Sequence, residues 1–303
     1  MGFKSVFTDK PLLKIDNIAV VCHDAGAANI IIANLLDTGR NDWRSYMQGP
    51  AEKLWNAAYP GIKLCDSLDS TLEGVDLLVT GTGWGSEIEH EARRLARLFG
   101  IHSVALIDHW VNYEERFVRD GRTVWPDEFW VTDDYAEEIA KRIFPGQAVL
   151  KVPNCYLDTQ LELIAQMEKP DTPEILYVLE PTRSDWGRET LGEFQALDYF
   201  VSHLPQLQLP LDTVIRLRLH PSENHEKYDE WVAAHPTLNI KLDETFNITQ
   251  SMGRSSWVAG CESFALVLAL MAGRIVYCAL PPWAPACRLP HQGLIHLRKQ
   301  LLE

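Results

Sequence analysis

Short apolar runs recur along the whole chain, and segments with helical periodicity separate them. In the first half, these runs predict strands at 17–22, 43–48, 75–80, 102–107, 129–131 and 149–152. In the second half, they predict strands at 175–180, 213–219, 238–242, 256–260 and 274–279. Continuously apolar strands that alternate with helices are typical of parallel sheets joined by right-handed crossovers. The pattern therefore predicts an α/β fold.

The segments between the strands supply the helices. Helical periodicity is found at 28–36, 50–58, 86–99, 134–143 and 264–273. The third helix opens on Ser86 with Glu89 three residues later. This spacing predicts a capping box, in which the two side chains close the first turn.

Length and proline content divide the chain. Its 303 residues are too many for one small domain and fit two domains of about 150 residues each. Residues 153–173 contain three prolines and begin no new periodic pattern, so the boundary is expected there. We predict a first domain at 1–155, a second domain at 174–280 and a proline-rich tail at 281–303.

Charge and cysteine content exclude several classes of protein. The formal net charge of −14 argues against binding to nucleic acid or anionic membranes, since both favour a cationic surface. The six cysteines show no Cys-x-x-Cys pair or zinc-ligand spacing, which favours a reduced, cytoplasmic protein. No apolar signal segment precedes the first strand, and no apolar run approaches the roughly 18 residues of a membrane span.

Two polar elements in the second half follow predicted strands directly. His220 and Pro221 follow the strand at 213–219, and the sequence Gly-Cys-Glu-Ser at 260–263 leads into the helix at 264–273. In an open parallel sheet, ligands bind beyond the carboxyl ends of the strands, where a helix N-terminus favours an anion such as phosphate. The alternative for His220 is a strand-end histidine whose hydrogen bonds are satisfied by the backbone.

A third polar element, Thr182 and Arg183, follows the first strand of the second half. A hydroxyl and a guanidinium at this position can bind a phosphate or a carboxylate. The alternative is a solvated loop.

These elements together resemble the donor-binding half of GT-B glycosyltransferases. They are most similar to the bacterial surface-polysaccharide branch of sialyltransferase-like and Kdo-transferase-like enzymes, in which a His-Pro motif serves a CMP-activated sugar. The resemblance is concentrated at 213–276. It implies two Rossmann-like domains that face each other across a cleft, with a C-terminal tail that can cross back to the first domain.

The resemblance also implies roles for individual residues. His220 and Pro221 would contact the nucleotide, Glu262 would accept hydrogen bonds from ribose hydroxyls, and Ser263 would bind phosphate. Ser255 and Ser256 resemble the serine pair that accompanies the His-Pro motif, although here they precede Trp257, Val258 and Ala259. For Ser263, an ordinary N-cap is the alternative.

An inverting transferase needs a base that takes a proton from the acceptor hydroxyl. The first candidate is Asp24, which follows the first strand in a turn with His23 and Gly26. The second is Asp108, beside His109 at the end of another strand. The alternative for Asp24 is a cap of the following helix.

A glycine-rich loop at 81–85 contains Gly83 and Trp84. It matches neither the dinucleotide fingerprint nor a Walker A sequence, so its glycines indicate close backbone approach and identify no nucleotide. Trp84 can form an aromatic wall for a sugar, or it can pack between domains.

The function predicted is that of an inverting, metal-independent glycosyltransferase. Its partners would be a nucleotide-activated sugar, with CMP favoured, and a glycan or sugar acceptor; no cofactor is expected. No Asp-x-Asp pair stands at a strand end, so no metal is expected either. Two alternatives stay open. One is an activity like that of UDP-N-acetylglucosamine 2-epimerases or nucleotide-sugar hydrolases, and the other is a non-catalytic module that binds a nucleotide or sugar.

Overall fold

The computed structural model describes residues 16–184, 186–187, 189–220, 223–245 and 247–299. The chain divides into two compact units, the first ending at Asp158 and the second beginning at Thr159. Each unit contains one six-stranded sheet, and every strand pairing within the two sheets is parallel. The predicted α/β fold is therefore confirmed.

The first unit contains eight described strands and five complete helices. The strands are β1 (Ile18–Cys22), β2 (Arg44–Met47), β3 (Leu77–Thr80), β4 (His102–Leu106), β5 (Val118–Arg119), β6 (Arg122–Thr123), β7 (Glu128–Val131) and β8 (Ala148–Lys151). The helices are α1 (Ala25–Asp37), α2 (Gly49–Ala58), α3 (Leu68–Leu72), α4 (Ile88–Phe99) and α5 (Asp134–Ile143). The sheet order is β2-β1-β3-β4-β7-β8, and β5 and β6 form a separate antiparallel pair. Helix α6 (Cys155–Ala165) contains the division between the units.

The second unit repeats this architecture. Its strands are β9 (Glu174–Val178), β10 (Val214–Arg218), β11 (Ile240–Leu242), β12 (Trp257–Gly260), β13 (Ile275–Cys278) and β14 (Leu294–His296). Its helices are α7 (Gly192–His203), α8 (Asp229–Ala233), α9 (Ile248–Arg254) and α10 (Phe264–Met271). The sheet order is β11-β10-β9-β12-β13-β14.

Each sheet contains a point at which the strand order reverses. In the first unit β1 lies between β2 and β3, and in the second unit β9 lies between β10 and β12. Connections leave such a strand and its neighbour towards opposite faces, which opens a crevice at the carboxyl edge where ligands bind. The polar elements of the sequence follow β1, β3, β4, β9, β10 and β12, so they lie at these two edges.

The C-terminal tail takes part in the second sheet. Strand β14 pairs in parallel with β13, and Leu297 is fully buried in the core of the second unit. This part of the tail therefore belongs to the second unit. None of the described helices is long and apolar enough to cross a membrane.

The capping box predicted at the start of α4 is wrong. The helix begins at Ile88 with Glu87 at its N-cap, and Ser86 Oγ accepts only the N–H of Ile88, at 3.3 Å. Glu89 instead points its side chain towards the loops that follow β1 and β3. The Ser86–Glu89 spacing fits a capping box, but the Glu89 side chain accepts hydrogen bonds from the loops after β1 and β3 in place of the local cap bond.

Candidate functional site

In the first unit, the residues after β1 bring an imidazole and a carboxylate together. His23 Nδ1 lies 2.9 Å from Asp24 Oδ1, and the backbone N–H of Trp84 donates to Asp24 Oδ2 at 3.2 Å. Asp24 stands at the N-cap of α1 but makes no side-chain bond to the helix. Its carboxylate therefore orients His23 and the loop after β3, and the capping alternative does not describe it.

A buried carboxylate from α4 connects the same two loops. Glu89 is 1% exposed, and its two oxygens accept the backbone N–H groups of His23, at 3.0 Å, and of Gly83. Burial raises the pKa of Glu89, while these two hydrogen bonds and the nearby charge of Arg93 oppose the increase. Glu89 thus holds the backbone of the loop that contains His23 and Asp24 in place.

Asp108, after β4, is held by a cation. Its Oδ1 accepts from Arg116 Nη1 at 2.9 Å, and the same guanidinium nitrogen donates to Thr82 Oγ1 at 3.0 Å. A β-carbon on Gly26 would lie 1.9 Å from Asp108 Oδ2, so this carboxylate packs directly against the start of α1.

Aromatic rings flank these groups. Trp84 is 48% exposed, and the guanidinium carbons of Arg116 and Arg119 lie 6.0 and 5.9 Å from its ring centroid. His109 packs against Trp110 with 5.3 Å between ring centroids. An exposed indole beside two cations can stack on a sugar ring or face an anionic ligand.

The first unit therefore offers acid–base chemistry. With Nδ1 of His23 donating to Asp24, the imidazole keeps Nε2 as a hydrogen-bond acceptor. The side chains of His23 and Asp24 are 20% and 34% exposed, so a ligand can reach them. Asp24 can act as the base itself or through His23.

In the second unit, Glu180 connects two of the predicted elements. It follows β9 and is 5% exposed. One oxygen accepts the backbone N–H of Glu262 at 3.2 Å, and the other pairs with Arg183 Nη2 at 2.6 Å. The loops after β9 and β12 are therefore joined through a single buried carboxylate.

A network of ion pairs extends from this point. The backbone N–H of Arg183 donates to Glu193 at 2.7 Å, and Lys227 lies 2.8 Å from Glu193 Oε1 and 2.6 Å from Glu223 Oε2. Lys227 also donates to the hydroxyl of Thr182 at 3.1 Å. Thr182 is exposed and Arg183 is half-buried, so these two residues lie at the surface but are held there by hydrogen bonds.

His220 lies within the same cluster. Its backbone oxygen accepts the N–H of Glu223 at 2.9 Å. Burial lowers the pKa of its imidazole, which favours the neutral ring near pH 7. Charges of both signs act on it: Glu180, Glu223, Arg183 and Lys227. Pro221 lies outside the described residues.

The segment after β12 leads into an eight-residue helix. Ser263 occupies the N-cap of α10, yet its hydroxyl makes no cap bond and has no hydrogen-bond partner among the described residues. The first N–H groups of a helix have no carbonyl partner within it. A hydroxyl and these N–H groups together suit a phosphate oxygen.

Glu262 is engaged with the tail. Its carboxylate accepts the backbone N–H of Arg288 at 2.5 Å and the Nη2 of the same residue at 2.7 Å. A ribose hydroxyl would have to share these oxygens with Arg288. The arrangement places the half-exposed guanidinium of Arg288 against Glu262, the residue that precedes Ser263.

Two predicted residues do not join this cluster. Ser255 is fully buried and donates to the carbonyl of Ser251 at 2.9 Å, and Ser256 Oγ accepts from Lys169 at 3.2 Å. Both precede β12, whereas the cluster follows it. The strand separates them from Ser263, so the structure does not bring the serine pair together with the other candidate residues.

The charged residues that complete both clusters were not predicted as site residues. Some come from helices and loops between the strands: Glu89, Arg116, Glu193, Glu223, Lys227 and Arg288. Glu180 follows β9 directly, and its position after a strand was the available signal. For the others, no local pattern distinguishes them from surface charges.

Solved structures with the same fold include enzymes of UDP-sugars. UDP-GlcNAc 2-epimerase from Neisseria meningitidis, bound to UDP-GlcNAc, is similar with a TM-score of 0.60 and 12% identity over 88% of this chain and 83% of that one. UDP-N-acetylglucosamine 2-epimerase from Rickettsia bellii gives 0.58 and 12%, covering 87% and 78%. S. aureus MnaA with UDP gives 0.57 and 11%, covering 86% and 78%.

These likenesses show a GT-B-like fold of two Rossmann-type domains. UDP or UDP-GlcNAc is present in two of the three structures, whereas the sequence resemblance named CMP-sugar enzymes. No known family profile matches the chain, and no curated protein matches it.

Proposed function

We propose that this protein is an enzyme that acts on a nucleotide-activated sugar and breaks the bond between the sugar and its phosphate. The observation that carries the proposal is the convergence of Arg183, His220 and Ser263 at one edge of the second sheet. They follow the neighbouring strands β9, β10 and β12. Guanidinium, imidazole and helix N–H groups are the donors that stabilise a departing phosphate.

The second unit would hold the nucleotide. As the acid–base group we propose the His23–Asp24 pair of the first unit, because Asp24 contacts an imidazole, whereas Asp108 contacts the guanidinium of Arg116. In an inverting transfer, the pair removes the proton of the acceptor hydroxyl as that oxygen attacks the anomeric carbon. A positioned base of this kind contributes roughly 10²–10⁴-fold to the rate.

The nucleotide proposed is UDP. The expectation of CMP depended on the His-Pro motif and the serine pair, and Ser255 and Ser256 lie at the opposite end of β12 from Ser263. Two of the similar structures reported above contain UDP-GlcNAc or UDP. Epimerisation of a UDP-sugar is therefore the second candidate reaction, and it uses the same donor without an acceptor.

Ligand-induced stabilisation and product analysis test the proposal. We expect UDP and a UDP-sugar to raise the melting temperature more than CMP, CDP or GDP at equal concentration. Incubation with UDP-GlcNAc should then release UDP only with an acceptor if the enzyme is a transferase. It should form the 2-epimer without an acceptor if the enzyme is an epimerase. A protein that is stabilised by none of these nucleotides would contradict the proposal.

A further inference from the structure

The carboxyl ends of β13 and β14 place a thiol beside an imidazole. Cys278 and His296 are direct partners in the register of these two parallel strands. Neighbouring strands are about 4.8 Å apart, and paired residues project to the same face. The two side chains are therefore set side by side by the sheet itself.

A second thiol completes the group. Cys287, in the segment between the two strands, brings its sulfur to the same place, so that Sγ of Cys278, Sγ of Cys287 and a ring nitrogen of His296 all lie within 4.8 Å of one another. Among the described residues, these three form the one such group of potential metal ligands. Their spacing in sequence is nine and nine residues, which no short zinc motif has, so only the fold reveals them.

The segment that carries Cys287 is fixed from two sides. Arg298 donates to the backbone oxygens of Pro282, Ala284 and Pro285. On the other side, Glu262 accepts the backbone N–H of Arg288, next to Cys287, at 2.5 Å. Because neither contact involves the thiols or the imidazole, the three groups are held together in advance of any ligand.

We propose that Cys278, Cys287 and His296 form a binding site for a zinc ion. Two thiolates and one imidazole are the soft and borderline donors that Zn²⁺ prefers. Around a tetrahedral zinc, with Zn–S and Zn–N bonds of about 2.3 and 2.1 Å, ligand atoms are about 3.4–3.8 Å apart. The observed separations therefore need small side-chain adjustments only.

The site differs in its ligands from the Asp-x-Asp centre of metal-dependent glycosyltransferases. Mg²⁺ on a donor diphosphate is held by carboxylates, whereas these ligands are sulfur and nitrogen. Cys278 is fully buried, and Cys287 and His296 are half-buried. Binding displaces both thiol protons to solvent, including the one that Cys278 donates to the carbonyl of Cys261 at 3.2 Å.

Zinc titration of the full chain tests the site. After treatment with a chelator under reducing conditions, the protein should bind one zinc ion per chain in competition with a chromophoric chelator. Cys287→Ser and His296→Gln should each weaken zinc binding by roughly 10²-fold or more, since losing even an outer-shell partner of a metal ligand costs 10–100-fold. Both side chains are partly exposed, so these variants should fold.

Cys65→Ser provides the matched control, because Cys65 is a half-buried free thiol outside the group; it should bind zinc like the wild type. Cobalt substitution adds a direct readout, since thiolate ligation gives an intense charge-transfer band that Cys287→Ser should reduce. Equal zinc affinity in the wild type and Cys287→Ser would overturn the proposal. So would a reduced wild-type protein that binds no zinc, or a Cys278–Cys287 disulfide in protein purified with reductant.

Discussion

A β-carbon on Gly83 would come within 2.2 Å of Asp24 Oδ2. The glycine loop after β3 and the carboxylate after β1 can therefore meet only because position 83 has no side chain. The backbone N–H of Trp84 donates to the same oxygen, so the loop both bonds the carboxylate and limits where it can lie.

Gly83→Ala should displace Asp24 and lower kcat. The backbone at Gly83 is not in the left-handed region, so alanine causes no strain of its own there, and the effect should come from the clash. A displacement of about 1 Å in a catalytic group can cost about 10²-fold in rate. Steady-state kinetics with the donor sugar identified by the nucleotide panel would measure it.

The control for this prediction is Gly83→Ala introduced into the Asp24→Ala variant. Without the carboxylate, the added methyl group meets no Asp24 oxygen, so Gly83→Ala should change neither the remaining kcat nor the free energy of unfolding appreciably. This double-mutant cycle isolates the contact between the two positions. An equal loss in both backgrounds would mean that the methyl group acts elsewhere.

Asp24→Asn should lower kcat with little effect on stability, whereas Asp108→Asn should lower the free energy of unfolding. Asp24→Asn keeps an oxygen for the N–H of Trp84 and should leave the free energy of unfolding within about 0.5 kcal/mol of the wild type. It should nevertheless reduce kcat by roughly 10²–10⁴-fold if Asp24 serves the proton transfer.

Asp108→Asn leaves the guanidinium of Arg116, whose side chain is 7% exposed, without its carboxylate. Removing one partner of a buried pair lowers the free energy of unfolding by about 3–5 kcal/mol. Because Asp108 is partly exposed, we expect a decrease of about 1–3 kcal/mol for Asp108→Asn. Urea denaturation and kcat for both variants check the pair of predictions. Near-normal turnover in Asp24→Asn would transfer the role of base to His23 or Asp108.

The fold was predictable because its central strands are buried on both faces. All five residues of β1 are buried, and a strand in that position has to be continuously apolar, which the sequence shows directly. Strand β14 was not predicted, for a physical reason. It is a three-residue edge strand in a proline-rich tail, too short to display a period.

The candidate site was predictable only in part. Asp24, Asp108 and His220 were found because residues that follow parallel strands must lie at the carboxyl edge. Glu89 and Lys227 come from helical segments, and tertiary packing alone brings them to the clusters. Ser255 and Ser256 precede β12, so they lie at the opposite end of that strand from Ser263.

His220→Ala should weaken nucleotide binding and slow turnover together, because the imidazole would contact a phosphate whose charge grows in the transition state. We expect the Kd of the preferred nucleotide to rise about tenfold, as for the loss of one hydrogen bond to a charged group. Isothermal titration calorimetry would measure it. Ser256→Ala is the matched control, since Ser256 precedes β12 and bonds Lys169; it should leave Kd unchanged. Similar losses in both variants would speak against a nucleotide at the carboxyl edge.

Glu174 makes the second unit sensitive to acid. It is 3% exposed, and it accepts Nη2 of Arg216 at 2.6 Å and Nη2 of Arg254 at 2.9 Å. Burial alone would raise the pKa of Glu174, but the hydrogen bonds and charges of the two arginines outweigh it and lower the pKa to about 2. A carboxyl whose pKa is lower in the folded state stabilises the fold above its unfolded pKa, and this stabilisation is lost as the pH falls towards the folded pKa.

Glu174→Gln should therefore lower the free energy of unfolding at neutral pH, and the difference from the wild type should shrink as the pH falls from about 4.5 to about 2. For a fully buried group, a pKa decrease of this size would correspond to a contribution of about 3 kcal/mol to the free energy of unfolding. Because the side chain of Arg254 is 42% exposed, screening by solvent reduces our expectation to about 1–2 kcal/mol. Urea denaturation across this pH range gives the measurement.

Glu91→Gln, which breaks the exposed Glu91–Arg94 pair, is the control and should lower the free energy of unfolding by less than about 0.5 kcal/mol at any pH. A difference for Glu174→Gln that stays constant down to about pH 2 would assign its effect to packing, since the ion pairs would then contribute nothing that protonation can remove.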